Sequence, residues 1–278
     1  MIPPCPAIIG IGGISIPFPS SVGTINFGND QMAAQMSPSS HGSGLFFDLY
    51  GSGHSAGALT AWSWGVSRLI DGLEQLGSDA TGIDTTRLGV TGCSRNGKGA
   101  FMVGALEPRI ALTIPQEPGS GGAACWRISD DEQSKGKNIQ TVGRVVTENA
   151  WFSPRFNQHS QATATIPEYH HLLAGLVAPH GLYVAENDID WLGPASTTGC
   201  MMAGRLIYKT LGVENNMGYS LVGGHNHCEF PSSQIGELEG YINAFLLGNG
   251  DPPSVEKSTV CVQVSSHADW TGDIPTLA

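Results

Sequence analysis

Arg87-Leu-Gly-Val-Thr-Gly-Cys-Ser-Arg-Asn-Gly-Lys-Gly-Ala100 reads as a short apolar strand, a glycine-flanked turn with Ser94 at its apex, and a helix of small residues. A serine on a sharp strand-to-helix turn holds its hydroxyl clear of its own backbone. It then faces the carboxyl edge of a sheet, beside the free N–H groups of a helix start, which is the geometry of a nucleophile elbow. The glycines stand at 92 and 97, giving G-x-S-x-x-G where hydrolases usually carry G-x-S-x-G. Taken alone, the stretch is equally readable as a βα turn without chemistry.

Other segments fall into register around it. Ala7–Gly13 is an apolar run closed by glycines, the pattern of a buried parallel strand. Residues 111–117, 181–187 and 219–224 read as further strands. Apolar residues recur at helical spacing over 57–74, with Leu59, Trp62, Val66, Leu69, Ile70 and Leu73 on one face. Helices are also expected at 169–178, 198–211 and 232–247, with partial helix in the polar segment 127–165. Residues 15–44 read as a long loop and 46–52 as an ordered loop wall. Strand and helix alternate without internal repeat, which predicts one doubly wound α/β domain. The expected fold is an α/β-hydrolase, a three-layer αβα sandwich with a mostly parallel sheet. It is read as a single catalytic domain over 1–278, with a surface-wrapping tail at 249–278 and no carbohydrate-binding module.

Composition narrows the function. The chain has 278 residues, 40% hydrophobic and only 13% charged, with a formal net charge of −11. A net-negative field repels phosphates, so neither nucleic acid nor an anionic membrane is expected as a partner. No run approaches the roughly 18 apolar residues of a membrane span. Met1-Ile-Pro-Pro is not a secretory leader, so the expected secreted, extracellular protein would have lost its signal peptide or begin upstream. Six cysteines, at 5, 93, 125, 200, 228 and 261, include no C-x-x-C pair and suit an oxidising compartment.

A nucleophilic serine needs a base, and the base needs an orienting acid; the hydrolase order is Ser, acid, His. His170 and His171 lie in a helical pattern. His225 and His227 follow the last strand, where the base belongs, so that one can face the serine while the other braces the loop. Cys93 precedes Ser94 and Cys228 follows His227. If Ser94 and His227 are in hydrogen-bond reach, those cysteines approach the roughly 5.5–6 Å Cα separation of a disulfide, which favours His227 as base. A rival metal cluster of His225, His227, Cys228 and Glu229 lacks a second matching ligand pair. Three carboxylates remain open as the acid: Glu117 after the strand that follows the elbow, and Asp188 and Asp190 after the next one.

Gly92-Cys-Ser-Arg-Asn-Gly-Lys, Ile114-Pro-Gln-Glu, Gly121-Gly-Ala-Ala-Cys-Trp-Arg, Glu148-Asn, Asp190-Trp-Leu-Gly-Pro and Gly224-His-Asn-His-Cys together resemble the fungal glucuronoyl esterases, from about Ala7 to Gly248. Those enzymes cleave the ester between 4-O-methyl-glucuronic acid of glucuronoxylan and lignin alcohols. The resemblance implies Ser94 as nucleophile, His227 as base, Glu117 as acid and Arg95 at the oxyanion. It further implies Lys98, Gln140 and Glu148 on sugar hydroxyls, Trp191 beside the ring, and disulfides Cys93–Cys228 and Cys125–Cys200. No metal or organic cofactor is implied, and a monomer is expected. Each role suits its residue: a guanidinium is always charged, charged side chains bond vicinal hydroxyls strongly, and an indole face covers a pyranose. Family members carry a portion ahead of Ala7 that this chain lacks, so an exposed sheet edge is expected. Cys5 and Cys261 either pair with each other or stay free. The competing functions are another carbohydrate or lipid esterase and a non-catalytic carbohydrate-binding relative.

Overall fold

A computed structural model describes residues 4–166 and 169–263. In chain order the elements are β1 Cys5–Ile11, β2 Gly23–Phe27, α1 Asn29–Met32, α2 Leu45–Tyr50, α3 Ala58–Leu76, α4 Ser78–Thr81, β3 Ile83–Cys93, α5 Arg95–Leu106 and β4 Ile110–Gln116. They continue with α6 Trp126–Ser134, α7 Val142–Glu148, α8 His170–Val177, β5 Gly181–Glu186, α9 Pro194–Thr210, β6 Met217–Leu221, α10 Ser232–Ile242 and β7 Glu256–Lys257. The strands form one sheet in the order β2-β1-β3-β4-β5-β6-β7, every pair parallel.

Alternation along the strands sorts their side chains into two layers. Ala7, Ile9 and Ile11 join Trp62, Val66 and Ile70 of α3 on one side. Leu182 and Val184 face Cys200 and Met201 of α9 on that same layer's second cluster. Ile8, Leu112, Ile114 and Tyr183 point the other way, against Leu238, Tyr241 and Ile242 of α10. Central strands buried on both faces must read as continuous apolar runs, as these do. The result is the three-layer α/β-hydrolase arrangement expected.

The chain leaves β1 for β2 on one side and returns to β3 on the other, so strand order reverses between β1 and β3. Parallel sheets form their sites in the crevice at such a reversal, outside the carboxyl ends of the strands. Ser94 stands at the carboxyl end of β3.

Three readings are corrected. Residues 15–44 are not all loop: β2 is a parallel strand paired with β1 from Ala7↔Gly23 to Ile11↔Phe27. Its Thr24 and Asn26 are exposed while Ile25 and Phe27 pack on the core, so its period-two signal lasts only five residues. β1 is consequently an interior strand, and β2 forms that edge of the sheet. Likewise 46–52 is mainly helix, α2, with Phe46 and Phe47 turned inward. The tail does more than wrap: β7 pairs with β6, and Val255 is buried. Its residues 264–278 lie outside the described residues.

Candidate active site

The elbow is built by close packing. Ser94 adopts φ 62° and ψ −125° between β3 and α5, and its N–H donates to the Gln116 carbonyl at 2.9 Å. A Cβ at position 92 would lie 2.5 Å from the Asn96 carbonyl oxygen, and one at 97 would lie 2.5 Å from that of Gln116. Both positions therefore demand glycine, and this accounts for G-x-S-x-x-G: the second glycine lets α5 rest against β4. Three non-glycine residues have positive φ among the described residues, Ser94, Glu117 and Cys228, and all meet here. Strained backbone of this kind persists where surrounding structure over-determines it.

Glu117 follows β4, is 1% exposed, and is pinned by its N–H donating to the Ala185 carbonyl at 2.7 Å. Its Oε2 accepts from His227 Nδ1 at 2.5 Å and from the Cys228 N–H at 3.1 Å. With Nδ1 carrying that proton, Nε2 is the basic nitrogen. His225 braces the same loop: its Nε2 donates to the Val222 carbonyl at 2.8 Å, and its Nδ1 lies 3.2 Å from Asn187 Nδ2. Among the described residues no bond joins His227 to Asp188 or Asp190. The Asp188 carboxylate packs against Gly223, and Asp190 opens a short 3-10 turn ahead of α9.

Two disulfides are present. Cys93–Cys228, with Cα atoms 5.8 Å apart, ties the Ser94 turn to the His227 loop, and Cys125–Cys200 ties the start of α6 to α9. Cys5 is buried and free, its Sγ on the Gly82 carbonyl, and Cys261 is exposed and free, so these two do not pair. Cys93, His227 and Cys228 converge within 4.8 Å, but their two sulfurs are bonded to each other and offer no thiolate. The rival cluster around His225 and Glu229 loses its sulfur ligand for the same reason.

Ser94 and His227 open onto a cleft of about 370 Å³ that also exposes Arg95, Lys98, Gln140, Glu148 and Trp191. The Trp191 ring meets the His227 ring edge-on at 4.8 Å. Gln140 Nε2 donates to Glu148 Oε2 at 2.6 Å. Lys98 is 3% exposed, with its Nζ donating to the Pro118 carbonyl at 2.7 Å and lying 5.0 Å from the Trp151 ring centroid. Burial pushes its ammonium down to about 8, partly offset by Glu186 and Glu148. Arg95, in the first turn of α5, reaches toward Met36 Sδ at 3.7 Å.

The family model for glucuronyl esterases of fungi matches residues 2–212. The chain belongs to the fungal glucuronoyl esterase family. It is 66% identical over 275 residues to a 4-O-methyl-glucuronoyl methylesterase of Thermothelomyces thermophilus, covering 99% of this chain and 69% of that protein. A namesake from Neurospora crassa is 64% identical over 276 residues, with the same shares of 99% and 69%. A crystal structure of a serine-to-alanine variant of the glucuronoyl esterase from Sporotrichum thermophile holds methyl 4-O-methyl-β-D-glucopyranuronate. It matches with a TM-score of 0.99 at 64% identity, over 100% of this chain and 75% of that one. The glucuronoyl esterase catalytic domain from Hypocrea jecorina matches with a TM-score of 0.96 at 53% identity, over 100% and 76%. Like these relatives, the chain is a carboxylic ester hydrolase.

This glucuronoyl esterase carries two cleft residues that motif reading missed, Arg144 and Trp151. Arg144 and Glu148 stand four residues apart on α7, the period that aligns side chains on one helix face, while Gln140 lies just ahead of the helix. That periodicity was the available signal for Arg144. Trp151 is fixed by its Nε1 donating to Gln35 Oε1 at 2.7 Å, a contact across 116 residues that nothing local announces.

Beneath the cleft, Glu186 is fully enclosed. Its Oε2 accepts from the Gly119 N–H at 3.1 Å and from the Thr197 hydroxyl at 3.3 Å. Burial pushes its carboxyl up to about 8, with Glu117 adding to the rise and Lys98 opposing it. A raised folded-state value means the fold holds a proton that the unfolded chain releases. Glu186 therefore contributes stability that is full below about 4.5 and lost as pH rises through about 8. Glu186→Gln, isosteric and uncharged, is expected to flatten the decline of Tm between pH 5 and 8 relative to wild type. Scanning calorimetry across that range checks this; parallel slopes would refute it.

The Cys93–Cys228 bridge closes a loop with a sequence separation of 135. Chain-entropy arithmetic assigns such a loop about 5 kcal/mol, at the upper end of the usual range. The Cys93→Ser, Cys228→Ser double variant is expected to melt roughly 10 °C or more below wild type in calorimetry.

Proposed function

We propose that this chain hydrolyses the ester linking 4-O-methyl-glucuronic acid of glucuronoxylan to lignin alcohols, outside the cell. The observation that carries the reading is the 2.5 Å bond between His227 and the buried Glu117, at the mouth of the cleft that Ser94 borders. The two disulfides support an oxidising compartment.

In the mechanism, His227 Nε2 takes the Ser94 hydroxyl proton as Oγ attacks the ester carbonyl. Charge on the carbonyl oxygen is met by Arg95 and by the free N–H groups opening α5. Collapse breaks the bond to the alcohol oxygen, which receives the proton from His227. Water, deprotonated by His227, then attacks the acyl-enzyme and releases the uronate together with a reprotonated Ser94. Glu117 holds the imidazole in its working tautomer and stabilises the imidazolium.

Lys98, Gln140 and Glu148 read the sugar hydroxyls, with Trp191 along the ring. Arg144 joins them as a further cation at the sugar. A charge-assisted bond contributes about 1.5–3 kcal/mol. The acyl half of an acetyl ester has no ring to engage these groups, so they favour a uronate ester over the acetyl esters of xylan. The test is hydrolysis of methyl 4-O-methyl-glucuronate against acetylated xylan. Cleavage of the first and not the second supports the reading; the reverse preference replaces it with another carbohydrate esterase, and ligand binding without turnover of either makes the chain a binding protein.

A further inference from the structure

The loop that carries His227 holds a second imidazole. His225 stands outside the cleft, its side chain 7% exposed. Its Nε2 faces the Val222 carbonyl at 2.8 Å, so Nε2 carries a proton. Asn187 is fully buried, and its Oδ1 accepts from the Asp188 N–H at 2.8 Å, which turns its amide nitrogen toward His225. That nitrogen donates to the Nδ1 lone pair at 3.2 Å and to the His225 carbonyl at 3.3 Å. The neutral ring is thereby held in one tautomer.

Two oxygens also face Nδ1 and gain nothing from a lone pair. One is the Asn226 carbonyl, at 3.1 Å. The other is Glu117 Oε1, at 3.8 Å, which is buried and has no hydrogen-bond partner among the described residues. Oε2 of the same carboxylate already serves His227 and the Cys228 N–H. A buried carboxylate oxygen left without a donor is costly. A second proton on His225 would satisfy both oxygens and set a positive charge against Glu117. An imidazolium forming on His227 would then find its counter-charge already shared. We propose that His225 is a positioning residue acting through Glu117: neutral, it leaves the carboxylate to His227, and protonated, it claims the free oxygen and slows turnover. The other titratable and charged groups around the loop are Glu186 and Asp188 at and just beyond the end of β5, Lys98 of α5, and His227 and Glu229 on the loop itself. Glu186 and Lys98 exchange protons at about 8, above the range of an ordinary imidazole. Asp188 abuts Gly223, and Glu229 accepts from the Asn226 amide at 2.9 Å.

This rests on the esterase reading above, with Glu117 as acid, and one experiment separates the two. The kcat/KM for the methyl ester of glucuronic acid, which has no titrating group, is followed from about pH 4.5 to 9 in wild type, His225→Gln and Asn187→Ala. In wild type two imidazoles must each be free of a second proton, so the acid limb of the logarithmic plot is expected to fall with a slope well above about 1. His225→Gln keeps a donor for the Val222 carbonyl but leaves one titrating imidazole, so its limb is expected to fall with a slope of about 1. Asn187→Ala removes the donor that favours the neutral ring, so its limb is expected to move up by about half a pH unit. A merely structural role would lower the plateau of both variants and leave the shape and position of the limb unchanged. Should one variant fail to fold, the other still decides. A wild-type slope of about 1, or a folded variant whose limb coincides with that of wild type, overturns the role of His225 and leaves the esterase intact. A wild-type protein that cleaves no glucuronate ester overturns both.

Discussion

Replacing Ser94 by alanine is expected to lower kcat on a glucuronate methyl ester by about 10⁶, as loss of a nucleophile does in serine hydrolases. In the proposed mechanism the side chain supplies the attacking oxygen and little else. The turn is built by Gly92, Gly97 and the Gln116 carbonyl, none of which needs the hydroxyl. Alanine at φ 62° carries the same backbone strain as serine, so stability should change little. Affinity for the uronate should persist, because Lys98, Gln140, Glu148 and Trp191 are untouched. Titration calorimetry with uronate, alongside turnover, checks both halves. A variant that has lost binding as well would show that Ser94 shapes the cleft.

Glu117→Ala is expected to cost about 10⁴ in kcat, the scale seen when a triad acid is removed. Two donors converge on Oε2, His227 Nδ1 and the Cys228 N–H, so truncation frees the imidazole and unseats the loop that carries it. Asp188→Ala and Asp190→Ala should each stay within about tenfold of wild type, as neither is hydrogen-bonded to His227 among the described residues. If Asp188→Ala is the crippling change and Glu117→Ala is not, the acid assignment is wrong.

The elbow was legible because its chemistry is local: a strand, a turn and a helix start must follow one another in sequence. The odd glycine spacing was legible only as an anomaly. Its cause, an approach of 2.5 Å to the Gln116 carbonyl, is a contact between neighbouring strands. The acid could not be chosen from the residues alone. Glu117, Asp188 and Asp190 all follow parallel strands, and whether a carboxylate reaches His227 depends on how two turns lie across the sheet edge. Resemblance implied Glu117, and the geometry supports that proposed role: its backbone is fastened to β5 while its side chain turns to the His227 loop. β2 escaped notice because five alternating residues in a Pro- and Ser-rich region carry too little signal. Trp151 escaped because its significance lies in a long-range partner, Gln35.

Labelling with a fluorophosphonate, read by peptide mass spectrometry against residual activity, asks whether Ser94 is the nucleophile. One adduct per chain is expected, on the Ser94 peptide, with esterase activity falling in proportion to its yield. Full activity with no adduct, or inactivation with the adduct on another residue, would contradict it.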